Sequence, residues 1–303
     1  MNLSLCCISK SLSDEGHRFK TMTYTQFCKN PKDESMNELC ARILHNFKIT
    51  HRTIKYCQNN YIQGYRLSSS LAPVLTHKNV NLKISDLPNY ALILQECESI
   101  KQTLQKQYLR ISAHPSEYIT LSSLDENCIE NSILDLKQHA EIFDLLGLPE
   151  TYQSPLNIHV RQDGEPLGIA KRVMKVYDSL PNSIRNRLVI ENNDNAKGVW
   201  SIKNLLKYFP NIPITFDALH HKLLSDDWTP DYAFHSAADS WNFITPLFHY
   251  SEGIVEKDKE TRKHADMPTG YPPNYNRPVF WDVELKHKCH AIFKIRQLAA
   301  NNS

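Results

Sequence analysis

Glycine is scarce, with 8 in 303 residues and no fixed spacing among them, which excludes collagen-like and glycine-rich linker architectures. None of the 8 cysteines stands in a C-x-x-C pair, so zinc ribbons and thioredoxin-type redox centres fall away. Charge of neither sign dominates: the formal net charge is +2, too small for bulk electrostatics to recruit an acidic polymer. No apolar run approaches the ~18 residues of a membrane span. Met1–Lys10 lacks a basic segment followed by an apolar one. The expectation is a reduced, soluble, intracellular protein, in cytoplasm, nucleoid or nucleus, with no membrane partner. What the chain does have is 41% hydrophobic residues, including 11 Phe, 14 Tyr and 4 Trp. That is enough for a large core, and it rules out a disordered chain.

Strand-length apolar runs recur through the sequence, at Leu3–Ile8, Gly64–Ser68, Tyr108–Ala113, Leu156–Val160, Leu188–Asn192, Ile212–Asp217, Tyr232–Ser236 and Val279–Leu285. Helical spacing fills the intervals. Ser35 and Glu38 read as a capping box ahead of Leu39, Ile43 and Phe47; Ile93, Cys97, Ile100 and Leu104 share one face; Gly147 stops a helix through Leu136 and Phe143. Pro166 suits the first turn of a helix that Pro181 ends, and Pro210 stops another. Alternating β and α units with near-continuous apolar strands predict a parallel sheet covered by helices. Eight strands fit an α/β fold of the (β/α)8 TIM-barrel kind, as one domain over residues 1–303 with a long loop at about 251–278; an open doubly wound sheet is the other arrangement.

The strand ends carry the chemistry. His114 follows the third candidate strand, His159 ends the fourth, Glu191 the fifth and Asp217 the sixth, with His220 and His221 just beyond; His235 lies in the seventh and Glu284 in the eighth. In a barrel those ends converge on the C-terminal face, where active sites form. Several imidazoles among carboxylates are costly to bury unless paired or bound to metal. Nitrogen and oxygen donors without thiolate suit Mn²⁺, Zn²⁺, Fe²⁺ or Co²⁺, and paired ions suit a phosphoryl displacement.

With those residues in place, the chain resembles the ultraviolet-damage endonucleases, from the first strand to about Lys288. The resemblance runs through CCIS (Cys6–Ser9), FKTMTYTQF (Phe19–Phe27), YRLSSSLAP (Tyr65–Pro73), SAHPSEYITL (Ser112–Leu121), NIH (Asn157–His159), IENND (Ile190–Asp194), FDALHH (Phe216–His221), HS (His235–Ser236), KHAD (Lys263–Asp266) and VELKHK (Val283–Lys288). It implies a metal-dependent DNA repair nuclease that nicks damaged double-stranded DNA immediately 5′ of UV photoproducts and other distorting lesions, leaving a 3′-hydroxyl and a 5′-phosphate. It implies divalent ions, up to three and Mn²⁺ by preference with Mg²⁺, Zn²⁺ or Co²⁺ as substitutes, and no nucleotide cofactor. Carried over by position, His114, His159 and Glu191 would hold one ion. Glu191, Asp217, His235 and Glu284 would hold a second, and His220 with His264 a third. Glu191, Asp217 and Glu284 are the candidate catalytic carboxylates. Leu5, Glu117 and Tyr118 stand where relatives probe lesions with an aromatic residue and a Gln-Tyr pair, and Arg161 and His221 are candidate DNA contacts. Val160 and Arg161 replace paired glycines, and Ala233 aligns with a lysine of some relatives.

Of the other histidines, His17, His45, His51, His77, His139, His249, His287 and His290 are assigned to surface or packing. Tyr271 and Tyr275 are further stacking candidates, and cations gather between Arg161 and Lys207. The oligomeric expectation is a monomer. Alternative functions on the same scaffold are a nuclease of abasic sites, a sugar isomerase or epimerase, and a damage-binding protein without catalysis.

Overall fold

The computed structural model describes residues 1–116, 118–161, 164–194 and 199–301. The chain begins with β1 (Asn2–Cys6), the short helices α1 (Lys10–Asp14) and α2 (Tyr24–Phe27), and the long α3 (Lys32–Asn59). It continues as β2 (Gly64–Leu67), α4 (Tyr90–Lys106), β3 (Arg110–Ala113), α5 (Glu126–Leu145), β4 (Leu156–His159), α6 (Pro166–Ser179) and α7 (Asn182–Arg185). Next come β5 (Leu188–Glu191), α8 (Ile202–Tyr208), β6 (Ile214–Thr215), α9 (Ala218–Leu223), α10 (Pro230–Asp239) and β7 (Leu247–Tyr250). A hairpin of β8 (Gly253–Glu256) and β9 (Lys259–His264), then β10 (Phe280–Val283) and α11 (Cys289–Ala300), complete the fold.

Eight strands pair in the order β6-β5-β4-β3-β2-β1-β10-β7, and every pairing is parallel. A parallel bridge between Asp217 and His249 joins the two ends, so the sheet closes into the expected barrel. The segment 251–278 is more ordered than a loop: it carries the antiparallel β8–β9 hairpin, with Gly253 opposite His264.

Local chemistry explains most boundaries. Thr23 and Gln26 form a capping box on α2, Asp125 caps α5, Glu165 caps α6 ahead of Pro166, and Thr229 caps α10 ahead of Pro230. Gly147 follows α5 at φ +68°, the left-handed conformation that ends helices. Two expectations are corrected here. Ser35 and Glu38 do not open a helix: α3 starts three residues earlier at Lys32, behind Pro31, and Ser35 is buried inside it with its hydroxyl donating to Asn30 O. Tyr232–Ser236 is not a strand. It lies within α10, which buries Ala233, Phe234, Ala237 and Ala238, and the seventh barrel strand is β7.

Outward strand residues such as Leu3, Leu5, Tyr65 and Val283 are buried against the helical layer. Two arginines fasten the N-terminal end. Arg110 donates to the carbonyls of Tyr152, Gln153, Thr245 and Pro246 beneath the Phe280 and Trp241 rings. Arg187 donates to Leu148, Pro149 and Ser183 and pairs with Asp144 at 2.8 Å. Inside the barrel, Gly64 is required by a close approach, since a Cβ there would collide with Ser4 Oγ. No helix among the described residues is long and apolar enough to cross a membrane.

Candidate metal centre

The inward positions are polar on strand after strand: Ser4, Arg66, Ser112, Asn157, Glu191, Thr215, His249 and Asp282 are all buried. Apolar side chains usually fill a barrel of this size. Buried polar groups need partners, so the interior is built for a purpose other than packing. Glu191 is its hub. The carboxyl is 1% exposed; Oε2 lies 3.2 Å from His114 Nε2, 3.1 Å from His249 Nδ1 and 3.7 Å from His159 Nε2, while Oε1 lies 3.2 Å from His220 Nδ1. Asn157, two residues before His159 on β4, donates its amide to Oε2 and fixes the carboxylate's rotation.

Asp217 caps α9, its Oδ1 accepting from His220 N at 2.7 Å, and this turn brings His220 beside Glu191. Asn192 clamps Asp217 from both sides of its peptide, accepting from its N–H at 2.7 Å and donating to its carbonyl at 3.2 Å. Glu284, just past β10, faces His249 Nδ1 at 3.5 Å and His264 Nε2 at 3.8 Å. Arg66 of β2 forms an ion pair with Glu284 and lies 3.8 Å from Asp282.

The electrostatics follow from burial and crowding. Burial pushes the Glu191 carboxyl up, but the surrounding imidazoles, His249 and His159 foremost, hold it well below the usual carboxylate range. Burial pushes Asp217 up to about 6 against the pull of His220, and takes His159 down to about 4 despite Glu191. For His249 burial is outweighed by Glu191 and Glu284, which raise it to about 9.

Three groups of donors converge closely enough to hold an ion each: His114, His159 and Glu191; Glu191, Asp217 and His220; and Asp217, His249 and Glu284. The fit to divalent cations shows in the polar atoms left over. Asp217 Oδ2, His159 Nδ1 and both ring nitrogens of His249 are buried without a hydrogen bond, although His249 Nδ1 stands only 3.1 Å from a carboxylate oxygen. Donors side by side but misaligned for hydrogen bonding match ligands that share a cation. The tautomers fit as well. Nδ1 of His114 and of His264 lies 3.1 and 3.0 Å from the carbonyls of Pro115 and Glu284, so a proton held there would free Nε2 for a cation, whereas His220 turns its Nδ1 both to Asn192 O at 2.9 Å and to Glu191 Oε1 at 3.2 Å.

Several sequence expectations land elsewhere. His235 projects from α10 with its ring 40% exposed, 3.6 Å from Asp231 and beside Tyr275, so the strand-end placement that put it among the ligands fails; Ala233, in the same helix, is buried away from the centre. The histidine supplied by the real seventh strand is His249, which the sequence alone places among the surface or packing residues. Leu5 points outward into the core and is fully buried, so it cannot touch DNA. His221 is buried against Phe216, its ring centroids 5.4 Å apart, and is likewise no surface contact. Tyr118 is 83% exposed and Arg161 is exposed at the rim, as a DNA contact requires; Glu117 lies outside the described residues. Tyr275 packs on Phe234, while Tyr271 remains 40% exposed. Arg66, Asn157 and Asp282 complete the site from within their strands, with no strand-end signal in the sequence.

The exchange of His235 for His249 is directly testable. His249→Asn is expected to weaken Mn²⁺ binding by about a hundredfold or more, whereas His235→Asn leaves it unchanged. Calorimetric titration of both variants checks this, and the reverse ranking would restore the sequence-based ligand set.

A family model described as UV-endonuclease UvdE matches residues 1–302. The UV DNA damage endonuclease of Nostoc sp. is 33% identical over 306 residues, covering 97% of this chain and 89% of that protein. The UV DNA damage endonuclease of Deinococcus radiodurans is 28% identical over 290 residues, covering 93% and 91%. Among solved structures, SacUVDE is similar with a TM-score of 0.82 at 23% identity, over 100% of this chain and 99% of that one. Endonuclease IV from Thermus thermophilus has a TM-score of 0.56 at 14% identity, over 83% and 94%, a likeness of fold.

Proposed function

Since the chain belongs to the UV-endonuclease UvdE family, we propose that it is a metal-dependent endonuclease that nicks damaged duplex DNA 5′ of UV photoproducts and other distorting lesions, leaving a 3′-hydroxyl and a 5′-phosphate. The observation that carries this reading is the convergence of His114, His159, Glu191, Asp217, His220, His249 and Glu284 at one mouth of the barrel. Mn²⁺ is the ion of choice for this set, with Mg²⁺, Zn²⁺ or Co²⁺ as substitutes, and up to three ions have donors. His114, His159 and Glu191 would hold one; Asp217, His249 and Glu284 a second; His220 a third, with Glu191 or Asp217 shared and His264 reaching in from the hairpin.

Such ions, when bound, supply positive charge to a phosphodiester anion and lower the pKa of a water molecule. The protein's part is orientation. Glu191 presents both oxygens to the centre because Asn157 fixes one of them; Asp217 is held by Asn192, and Glu284 by Arg66. Glu191, Asp217, Asp282 and the nearly buried Glu284 gather beside the Arg66 guanidinium and a ring of imidazoles, so cations that bind there take the place of protons those imidazoles hold. Arg161 and Tyr118 flank the mouth, where a backbone phosphate and an unstacked base would pass.

The test is a duplex oligonucleotide carrying one cyclobutane dimer, incubated with Mn²⁺ beside an undamaged duplex. A nick just 5′ of the dimer that a polymerase extends, abolished by a chelator, is the expected result. A cut only at an abasic site would move the substrate, and interconversion of sugars with intact DNA would overturn the reading.

A further inference from the structure

We propose that the outer face of α3 is a second DNA-binding surface, a basic strip that holds the duplex flanking the lesion once the DNA bends away from the mouth. This deepens the reading above and rests on it. Residues 16–85 hold eleven Lys and Arg against three acids, a net of +8 in a chain whose total is +2. Charge segregated in this way marks a surface for a polyanion, which the total conceals.

Two segments build the strip. On α3, Lys48, Arg52 and Lys55 recur at spacings of four and three, so they share one face, and all three are exposed. Arg18 and Lys20, also exposed, come from the segment after α1. That segment is fixed to the helix. His45 Nε2–H donates to Arg18 O at 2.9 Å, and Arg52 donates to His17 Nε2 at 3.4 Å. Asn46 clamps the Lys20 peptide, accepting from its N–H and donating to its carbonyl, both at 2.8 Å.

Acids to balance these cations are scarce. Earlier in the same helix Arg42 pairs with Glu38 one turn away, the ordinary way to balance exposed helix charge. Residues 39–59 contain no acid at all. Lys48 and Arg52, and Arg52 and Lys55, are instead like-charged neighbours, an arrangement that costs a helix stability. Of the two acids at the end of α1, Asp14 pairs with Lys10 at 2.9 Å, which leaves Glu15. A ligand that brings its own negative charge accounts for a face kept this way.

Position identifies that ligand. Asn46 also donates to Ser70 O and Leu71 O, at 3.0 and 3.2 Å, in the loop after β2, so the strip starts at the rim of the mouth that holds the metal centre. α3 leads from the C-terminal end of β1 back to the N-terminal end of β2 and therefore runs down the outer wall. From His45 to Lys55 it covers about 15 Å, or roughly four base pairs of duplex. DNA lying straight across the mouth misses this wall, whereas DNA bent at the mouth meets it at high effective concentration. An intact duplex is stiff and pays for such a bend, while a lesion softens the joint. The strip thus favours DNA that bends easily.

The experiment measures binding of a duplex with a central cyclobutane dimer, and of an undamaged duplex, across a salt series with Ca²⁺ in place of Mn²⁺. The triple variant Lys48→Gln, Arg52→Gln, Lys55→Gln keeps the helix propensity of α3, and circular dichroism checks its fold. On the damaged duplex its affinity falls by about tenfold and the slope of log K against log salt flattens by about 2–3; on the undamaged duplex both stay as in the parent. Trimming the duplex close to the dimer on one side removes the difference between parent and variant, and trimming the other side leaves it. If the triple variant does not fold, Arg52→Gln alone carries the comparison, with a slope change of about 1. Affinity and slope unchanged in the folded variant, a loss that ignores flank length, or an equal loss on undamaged DNA overturns the strip and leaves the nuclease reading intact, provided the parent cuts the dimer duplex in Mn²⁺. No such cut by the parent overturns both.

Discussion

Glu191→Gln will cut damaged DNA at least about a thousandfold more slowly than the parent, while its circular dichroism stays the same. The size of the effect follows from where the charge sits. One carboxylate, 1% exposed, is approached by His114, His249 and His159 through Oε2 and by His220 through Oε1. It belongs to two of the three donor groups, so its neutral isostere weakens two cation sites together. Mn²⁺ titration of Glu191→Gln should accordingly lose more than one binding event, whereas loss confined to one event, or cleavage near the parent rate, would show that Glu191 does not bridge.

Arg66→Met will cost about 3–5 kcal/mol of stability in chelator, and markedly less in saturating Mn²⁺. Arg66 lies inside the barrel, paired with Glu284 and 3.8 Å from Asp282. Removing it strands two acids in the interior, and a divalent ion on Glu284 replaces part of the lost charge. Chemical denaturation with and without metal separates the contributions; equal losses in both conditions would mean that Arg66 and the cations do not share Glu284. The pH dependence has a definite sign. Burial pushes Glu284 up, but Arg66 and then His249 outweigh it and hold the folded-state pKa below the ordinary 4.5. The pair's contribution is therefore fully present above pH about 4.5 and is lost as pH falls through the lower folded value. The gap between parent and variant should stay constant from pH about 8 to about 5 and close only in stronger acid.

The barrel was legible because its signals are local. β1 to β6 and β10 are apolar runs of strand length, separated by helices whose caps and proline stops stand in the sequence. The ligands at their ends were legible for the same reason: His114, His159, Glu191, Asp217 and Glu284 each follow or end such a run. The failure at the seventh strand is instructive. Phe234-His235-Ser236 and Phe248-His249-Tyr250-Ser251 look alike as short strings. The distinguishing marks were nearby: Thr229-Pro230 opens a helix, the alanines at 233, 237 and 238 continue it, and Pro246 precedes the true strand. Arg66 and Asp282 are not legible in the sequence because one polar residue in an apolar strand does not reveal which way it points. Only closure of the sheet turns those side chains toward one another.

The seam of the barrel lies between β6 and β7, where the circumference is completed by one bridge, Asp217 to His249, and by the hydrogen bond from His249 N to Phe216 O at 3.0 Å. Both bridge partners are donors in the same candidate cation group. An ion seated there acts as a clasp on the hoop, joining through side chains the strands whose backbones hold each other least. Chelation would then do more than silence the enzyme. It would leave the hoop free to gape at one known joint, and proteolysis or amide exchange after metal loss would begin at 216–217 and 249 before spreading round the wall.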